Sequence, residues 1–155
     1  MCCSQMFSIS LIEAAFISRA VKALSHDERE RLRSAAREYL ARAPRQASET
    51  ESILPTPGFR LPCPALKGDA CSIYEARPLI CHKWGIPVFN PVKPLELQAC
   101  ELNFKPGEAV EVEGLLEPQV ALLEDWVELK SRANVAQEAT TVAEAILFDF
   151  EERLS

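Results

Sequence analysis

The sequence predicts a mainly α-helical fold, with a helical hairpin and C-terminal helices around a long irregular segment rich in cysteine and proline. Three observations predict it. Helix-capping residues followed by apolar residues at helical spacing recur near both ends of the chain. Residues 55–107 hold nine of the eleven prolines and four of the five glycines, which disfavours long regular elements there. Four of the six cysteines (Cys63, Cys71, Cys81 and Cys100) fall in that same segment, and the other two, Cys2 and Cys3, are adjacent at the N-terminus.

At 155 residues and 48% apolar content the chain suits one domain over residues 1–155, with material enough for its own core. Its expected parts are a hairpin over 1–44, the Cys/Pro-rich segment over 55–107 and C-terminal helices over 117–153.

The first helix starts at a capping box of Ser10 and Glu13, after which Ile12, Phe16, Ala20 and Ala23 form one apolar face. The second starts at Ser25 with Glu28 and carries Leu32, Ala36, Tyr39, Leu40 and Ala43 on its apolar face. Leu24-Ser25 is the turn between them, so the pair reads as an antiparallel hairpin, and the charge-rich run 26–33 reads as a solvated face. Pro44 ends the second helix, and the polar stretch 45–52 is expected to be linker. An irregular segment as long as 55–107 needs something to hold it inside a compact domain, and a bound metal would supply that. Residues 110–113 alternate like a short strand. Pro118 suits a first helical turn, with Val120, Leu123 and Val127 sharing a face beside Trp126. Residues 134–140 are expected to break the chain before a third capping box, Thr141 with Glu144. The helix behind it carries Val142, Ala143, Ile146, Leu147, Phe150 and Leu154.

The formal charge of −6 argues against nucleic acid as the main partner, because phosphate contacts need a basic face. Residues 55–100 nevertheless carry a net +2, leaving −8 on the remainder, and nearby positive charge favours the thiolate form that binds metal. No apolar run approaches a membrane span. The apolar stretch 6–17 is interrupted by Glu13 and has no preceding basic residue, unlike a signal peptide, so a reducing cytoplasm is the expected compartment. In that compartment clustered thiols are ligands or redox groups more often than structural disulfides.

The central spacing, Cys63-x7-Cys71-x9-Cys81-x18-Cys100, contains no Cys-x2-Cys pair, so neither zinc-ribbon, thioredoxin-like nor haem-attachment arithmetic applies. The residues between the cysteines say more. They read Cys63-Pro64-Ala65-Leu66, then Gly68-Asp69-Ala70-Cys71-Ser72-Ile73-Tyr74-Glu75-Ala76-Arg77-Pro78, then Cys81 three residues after the proline. This stretch closely resembles the YkgJ-type cysteine-cluster family, zinc- or iron-chelating proteins named for a CxxCxxCC motif. The likeness is specific over residues 60–100, and Cys2-Cys3 look like the end of that family's first cysteine motif. The family's further upstream cysteines have no counterpart here, which implies either a ligand set with fewer thiolates or a start codon assigned too late.

The resemblance implies a thiolate-bound zinc ion or iron–sulfur cluster. The turn at Lys67-Gly68-Asp69 is expected to bring Cys63 near Cys71, and Arg77-Pro78 to return Cys81 to the same centre. Adjacent residues in extended chain point to opposite sides, so Cys2 and Cys3 need not both bind one ion. The favoured ligands are Cys3, Cys63, Cys71 and Cys81, with Cys100 next and Cys2 last. Arg77 and Lys83 are placed to offset thiolate charge by hydrogen bonding to sulfur, although Arg77 equally suits a surface ion pair with Glu75. His82 adjoins Cys81 and reads as an exposed or supporting neighbour rather than a ligand, while His26 belongs to a helix start. Tyr74 and Trp84 are expected to pack as an apolar shield.

The leading functional expectation is a metal-binding protein with a structural, metal-handling or electron-transfer role, its protein partner unspecified. The alternative is an enzyme, either a thiol-redox protein or a methyl-transfer relative, since some members of the resembled family act as flagellin lysine methylases. No Ser-His-Asp set, paired-carboxylate pocket or glycine-rich cofactor loop is identifiable. A third reading, a plain interaction domain with core cysteines, is the least favoured.

Overall fold

The computed structural model describes residues 2–43, 60–83, 113–132 and 139–152. The fold is mainly α, as expected. In order the elements are a 3-10 turn Cys2–Ser4, β1 (Ser8–Ser10), α1 (Leu11–Ala23), α2 (His26–Arg42), β2 (Leu66–Lys67), β3 (Ala70–Cys71), a second 3-10 turn Tyr74–Ala76, α3 (Leu79–Lys83), α4 (Glu113–Arg132), β4 (Ala139–Thr141) and α5 (Val142–Leu147). The chain gathers into two compact units, Met1–Leu79 with Val135–Ser155, and Ile80–Asn134.

Two of the three capping boxes form as read. Ser10 caps α1 and Thr141 caps α5, each box closed in both directions by Glu13 and Glu144. An N-cap residue keeps extended backbone while its side chain accepts a helical N–H. That dual character explains a feature the sequence reading missed. The last residue of β1 is the cap of α1, and the last residue of β4 is the cap of α5. The two strands pair antiparallel, Ser8 opposite Thr141 and Ser10 opposite Ala139, so one small sheet launches both helices. The strand expected at 110–113 is not what unit two shows at its described end, since Glu113 already opens α4; residues 110–112, 134 and 154 and the linker 45–52 lie outside the described residues.

The core corrects the assignment of faces on α1. The expected stripe of Ile12, Phe16, Ala20 and Ala23 is not the buried one; Phe16 is 44% exposed. Leu11, Ala14, Ile17, Ser18 and Val21 are buried instead. Both stripes are apolar, and contact decides between them. The helices α1 and α2 are joined by the Leu24-Ser25 turn, but each packs chiefly on α5 rather than as a simple mutual hairpin. Small residues on both sides, Ala14 on α1 and Ala143 and Ala145 on α5, all buried, permit that approach. On α2 the face is as expected, with Leu32, Ala36 and Tyr39 buried and Leu40 and Ala43 partly so.

The last helix is shorter than expected. It ends at Leu147 with Phe148 extended, and Phe150, though buried, belongs to the chain beyond it. The reason is Ser18. Its buried hydroxyl lies 3.0 Å from the Ala145 carbonyl, 2.9 Å from that of Phe148 and 3.0 Å from the Ala14 carbonyl of its own helix, any one of which can take its single proton, and it accepts the Phe150 N–H at 3.4 Å. One side chain on α1 thus satisfies backbone groups that a helix end leaves open. Replacing Ser18 by alanine would strand those groups in the core, and a loss of about 1–3 kcal/mol is expected in urea unfolding. At the surface Lys22 holds the same segment by ion pairs to Asp149 (2.6 Å) and Glu151 (3.0 Å).

The second unit contributes α4. It begins at Glu113, four residues before the expected 117, so Pro118 sits in its second turn rather than its first. A proline there removes one backbone bond from a helix of 20 residues, a local cost that the remaining turns outweigh. Leu123 and Trp126 are half-buried, whereas Val127, expected on the same face, is exposed.

Among the described residues, no helix is long and apolar enough to cross a membrane.

Candidate metal centre

Cys3, Cys63 and Cys71, three of the six expected ligands, lie in the first unit, and backbone hydrogen bonds link the segments that carry them. Cys3 lies in the N-terminal 3-10 turn, and its carbonyl accepts the Cys63 N–H at 2.6 Å, tying residues 60 positions apart. Arg60 repeats the tie by donating to the Gln5 side chain at 2.9 Å. Cys63-Pro64-Ala65-Leu66 closes as a turn, the Leu66 N–H donating to the Cys63 carbonyl at 2.9 Å, with proline at the position whose φ such a turn needs. The hairpin β2–β3 then pairs Leu66 with Cys71. Its bend is at Gly68, whose φ of 60° is left-handed backbone that glycine adopts without strain. A Cβ at Gly68 would meet nothing within 4 Å, so the demand for glycine there is conformational rather than steric. The turn expected at Lys67-Gly68-Asp69 is therefore where the sequence placed it.

This loop is part of the core rather than an insert lying on it. Ala65, Ile73 and Ala76 are buried in the same cluster as Met6, Ile9, Ile17, Leu32 and Ile146, and Cys63 and Cys71 pack against that cluster. At its end Glu13 serves twice. One carboxylate oxygen closes the α1 capping box, and the other accepts the Leu79 N–H at 2.8 Å, at the start of α3.

Cys3, Cys63 and Cys71 are free thiols. Burial pushes the Cys63 thiol up to about 12, and the neighbouring thiolates of Cys71 and Cys3 push the same way. Peptide N–H groups of Ala65 and Leu66 oppose them by donating to its sulfur. Cys71 is likewise raised by burial and by Cys3, and lowered by the Ile73 N–H and by the charge of Arg77. In both cases the residue two positions on supplies an N–H to sulfur, Ala65 for Cys63 and Ile73 for Cys71. Such donors favour the thiolate, the form a cation binds. The donor chemistry thus fits a soft metal: partly buried thiols whose charges act on one another, with amides donating to two of the sulfurs and the Arg77 charge acting on Cys71. The number of ligands is another matter. Among the described residues no three His, Cys, Asp or Glu side chains stand around one point as a ready-made metal site.

The remaining candidates are placed as follows. Cys81 is half-buried on α3 and belongs to the second unit, as do exposed His82 and half-buried Lys83. Cys100 and Trp84 lie outside the described residues, and for Cys2 only the backbone turn is described. Arg77 takes up a third arrangement besides the two expected ones. Its guanidinium stacks on the Tyr74 ring at 3.5 Å from the centroid, and its Nε donates to the Tyr74 carbonyl at 3.1 Å. Tyr74 is 55% exposed, so it is a platform for Arg77 rather than an apolar shield. A cavity of about 210 Å³ between α2 and the loop has Cys63, Glu38, Tyr39, Arg42 and Leu61 among its lining residues.

Sequence reasoning missed the residues that fasten the hairpin to α2. The third expected capping box closes on one side only. Ser25 accepts the Glu28 N–H at 3.3 Å, while the Glu28 carboxylate turns outward to Arg31 (2.8 Å), Ser72 (3.0 Å) and Lys67 (3.0 Å). Residues 26–33 are therefore not simply a solvated face. The Arg31 guanidinium beside it, joined by Lys67 and Ser72, holds the Glu28 carboxyl down to about 2. A lowered carboxylate contributes stability that is complete above its ordinary value of 4.5 and is lost as pH falls toward about 2. Acid unfolding followed by circular dichroism should show this loss between pH 4.5 and about 2 in the native protein, with Glu28→Gln shallower over the same window. The available signal was the i, i+3 pair Glu28 and Arg31; nothing in the sequence pointed to Ser72 as its partner.

Comparisons with known protein families, with curated proteins and with solved structures find no match for this chain.

Proposed function

We propose that this protein binds a soft metal, a zinc ion or an iron–sulfur cluster, through thiolates that include Cys3, Cys63 and Cys71. The reading is supported above all by one observation: two thiols of one loop and a third from the distant N-terminus are near enough to act on one another's ionisation, with backbone amides donating to two of the sulfurs. A core that merely needed small apolar residues has no use for amides directed at sulfur. Cys81, Cys100 and Cys2 are the candidates to complete the ligand set. When bound, the metal would neutralise thiolate charge and staple the N-terminal turn to the loop. Cys63 and Cys71 would hold it from two turns of the loop, Cys3 from the N-terminus, and Arg77 would offset negative charge at Cys71. The resemblance to the YkgJ-type cysteine-cluster family supports the same assignment. A reducing compartment such as the cytoplasm suits free thiols in this role, and the net charge of −6 suits a partner other than nucleic acid.

The test is elemental analysis of protein purified without oxygen, together with its visible spectrum. Zinc near one per chain, or iron with a visible band that bleaches on reduction, supports the proposal. Less than about 0.3 metal per chain with every thiol titratable rejects a site of structural-zinc strength. Cys63 does not supply the low-pKa thiol that the thiol-redox alternative calls for, since burial pushes it up to about 12.

A further inference from the structure

We propose that Glu28, Arg31 and Ser72 form a clamp that positions the Cys71 end of the β2–β3 hairpin, so that occupancy of the thiol site and the stability of α2 are coupled. The inference rests on the proposed metal-binding function and adds to it residues that are not ligands.

The clamp is a closed polar triangle. Arg31 donates to the Ser72 hydroxyl at 2.7 Å and to Glu28 Oε1 at 2.8 Å through one nitrogen, and through Nε to the same oxygen at 3.1 Å. The Ser72 hydroxyl completes it by donating to Glu28 Oε1 at 3.0 Å. Ser72 directly follows Cys71, and its N–H donates to the Ala65 carbonyl at 2.8 Å, so the residue held by the clamp also closes the turn that carries Cys63. Glu28 and Arg31 lie on the first turns of α2, just before buried Leu32. Their side chains are only 22% and 31% exposed, which screens the pair less than a surface pair. Lys67 reaches the other carboxylate oxygen from the opposite strand, but it is 62% exposed and adds little by comparison.

Residues that orient a ligand through hydrogen bonds commonly change metal affinity by 10- to 100-fold when lost. Coupling between two sites is also reciprocal: if the clamp strengthens metal binding, metal binding must strengthen the clamp and the α2 turn that carries it.

The full chain can be titrated with Co(II) under anaerobic conditions in competition with a chelator, reading the sulfur-to-cobalt charge-transfer band. Ser72→Ala and Glu28→Ala should each weaken Co(II) binding on the order of 10-fold while keeping the saturated spectrum. Lys22→Ala, which removes exposed ion pairs to Asp149 and Glu151 that take no part in the clamp, should stay within about 2-fold of native. In the native protein, saturating Co(II) should slow amide exchange over residues 28–32, and Ser72→Ala should abolish that slowing. Should Glu28→Ala not fold, Ser72→Ala carries the test alone, since it removes one hydroxyl. Native affinity in Ser72→Ala, or α2 exchange indifferent to metal, overturns the clamp and leaves the metal reading standing. A native protein with no charge-transfer band overturns the metal reading, and the clamp with it.

Discussion

Replacing Cys63 by serine is expected to lower metal affinity by about 100-fold and to remove any stabilisation that metal gives the protein. The figure follows from the size of the whole effect. Structural zinc sites contribute roughly 10–16 kcal/mol, which over four ligands is about 3 kcal/mol each, or about two decades of affinity. Cys63 is the most telling position because its N–H, its sulfur and its carbonyl all take part in the local architecture, the first donating to Cys3 and the last accepting from Leu66. Serine leaves that backbone pattern intact and removes only the sulfur. The measurement is metal content and thermal midpoint of the native and Cys63→Ser proteins, each with and without a chelator. The midpoint of the native protein should fall on chelation, while that of Cys63→Ser should not move. An unchanged metal content in the variant would mean that Cys63 is a core residue and nothing more.

Leu32→Ala is expected to cost about 3–5 kcal/mol, the upper part of the range for deleting a fully enclosed leucine side chain. Leu32 has no exposed surface and sits one residue beyond the Glu28–Arg31 pair, on the face of α2 that packs toward α5. It belongs to a core cluster whose other members include Ala36, Ala145 and Ile17, all wholly buried. Native domains are stable by roughly 5–15 kcal/mol, so this one change removes a large share of the total. Phe16→Ala is the matched contrast. Phe16 is 44% exposed, and its loss should stay near 0.5 kcal/mol, in the range of surface changes. The urea midpoint of Phe16→Ala also tests the assignment of faces on α1, because a large loss there would restore the face that the sequence favoured.

What could be read from the sequence was what local chemistry dictates. Ser10 with Glu13 and Thr141 with Glu144 are each decided within four residues, and both boxes close. Gly68 is decided by its own backbone, and it bends the hairpin. The misreadings share a different cause. The face of α1 depends on α5, which lies more than 100 residues on, and the early end of α5 depends on Ser18 reaching back across the same distance. The pairing of β1 with β4 is equally remote. Glu28 shows the two kinds of information meeting in one residue. Its N–H obeys the local rule and bonds to Ser25, while its carboxylate leaves the expected box for Ser72, 44 positions away.

The candidate site divides along the same line. That Cys63 and Cys71 sit on successive turns was legible from Pro64 and Gly68. That Cys3 joins them depends on a backbone bond between Cys63 and Cys3, which no local pattern announces; only the resemblance pointed to it. Arg77 was legible as a cation near sulfur, and its charge does draw Cys71 down, but its stacking on exposed Tyr74 is a matter of which surface the loop leaves open.

X-ray absorption at the zinc or iron edge of the oxygen-free protein bears most directly on the central idea. The account predicts a shell of at least three sulfur atoms at about 2.3 Å, reduced in Cys63→Ser and Cys71→Ser. A metal surrounded by nitrogen and oxygen alone, or a sulfur shell untouched by both substitutions, would contradict it.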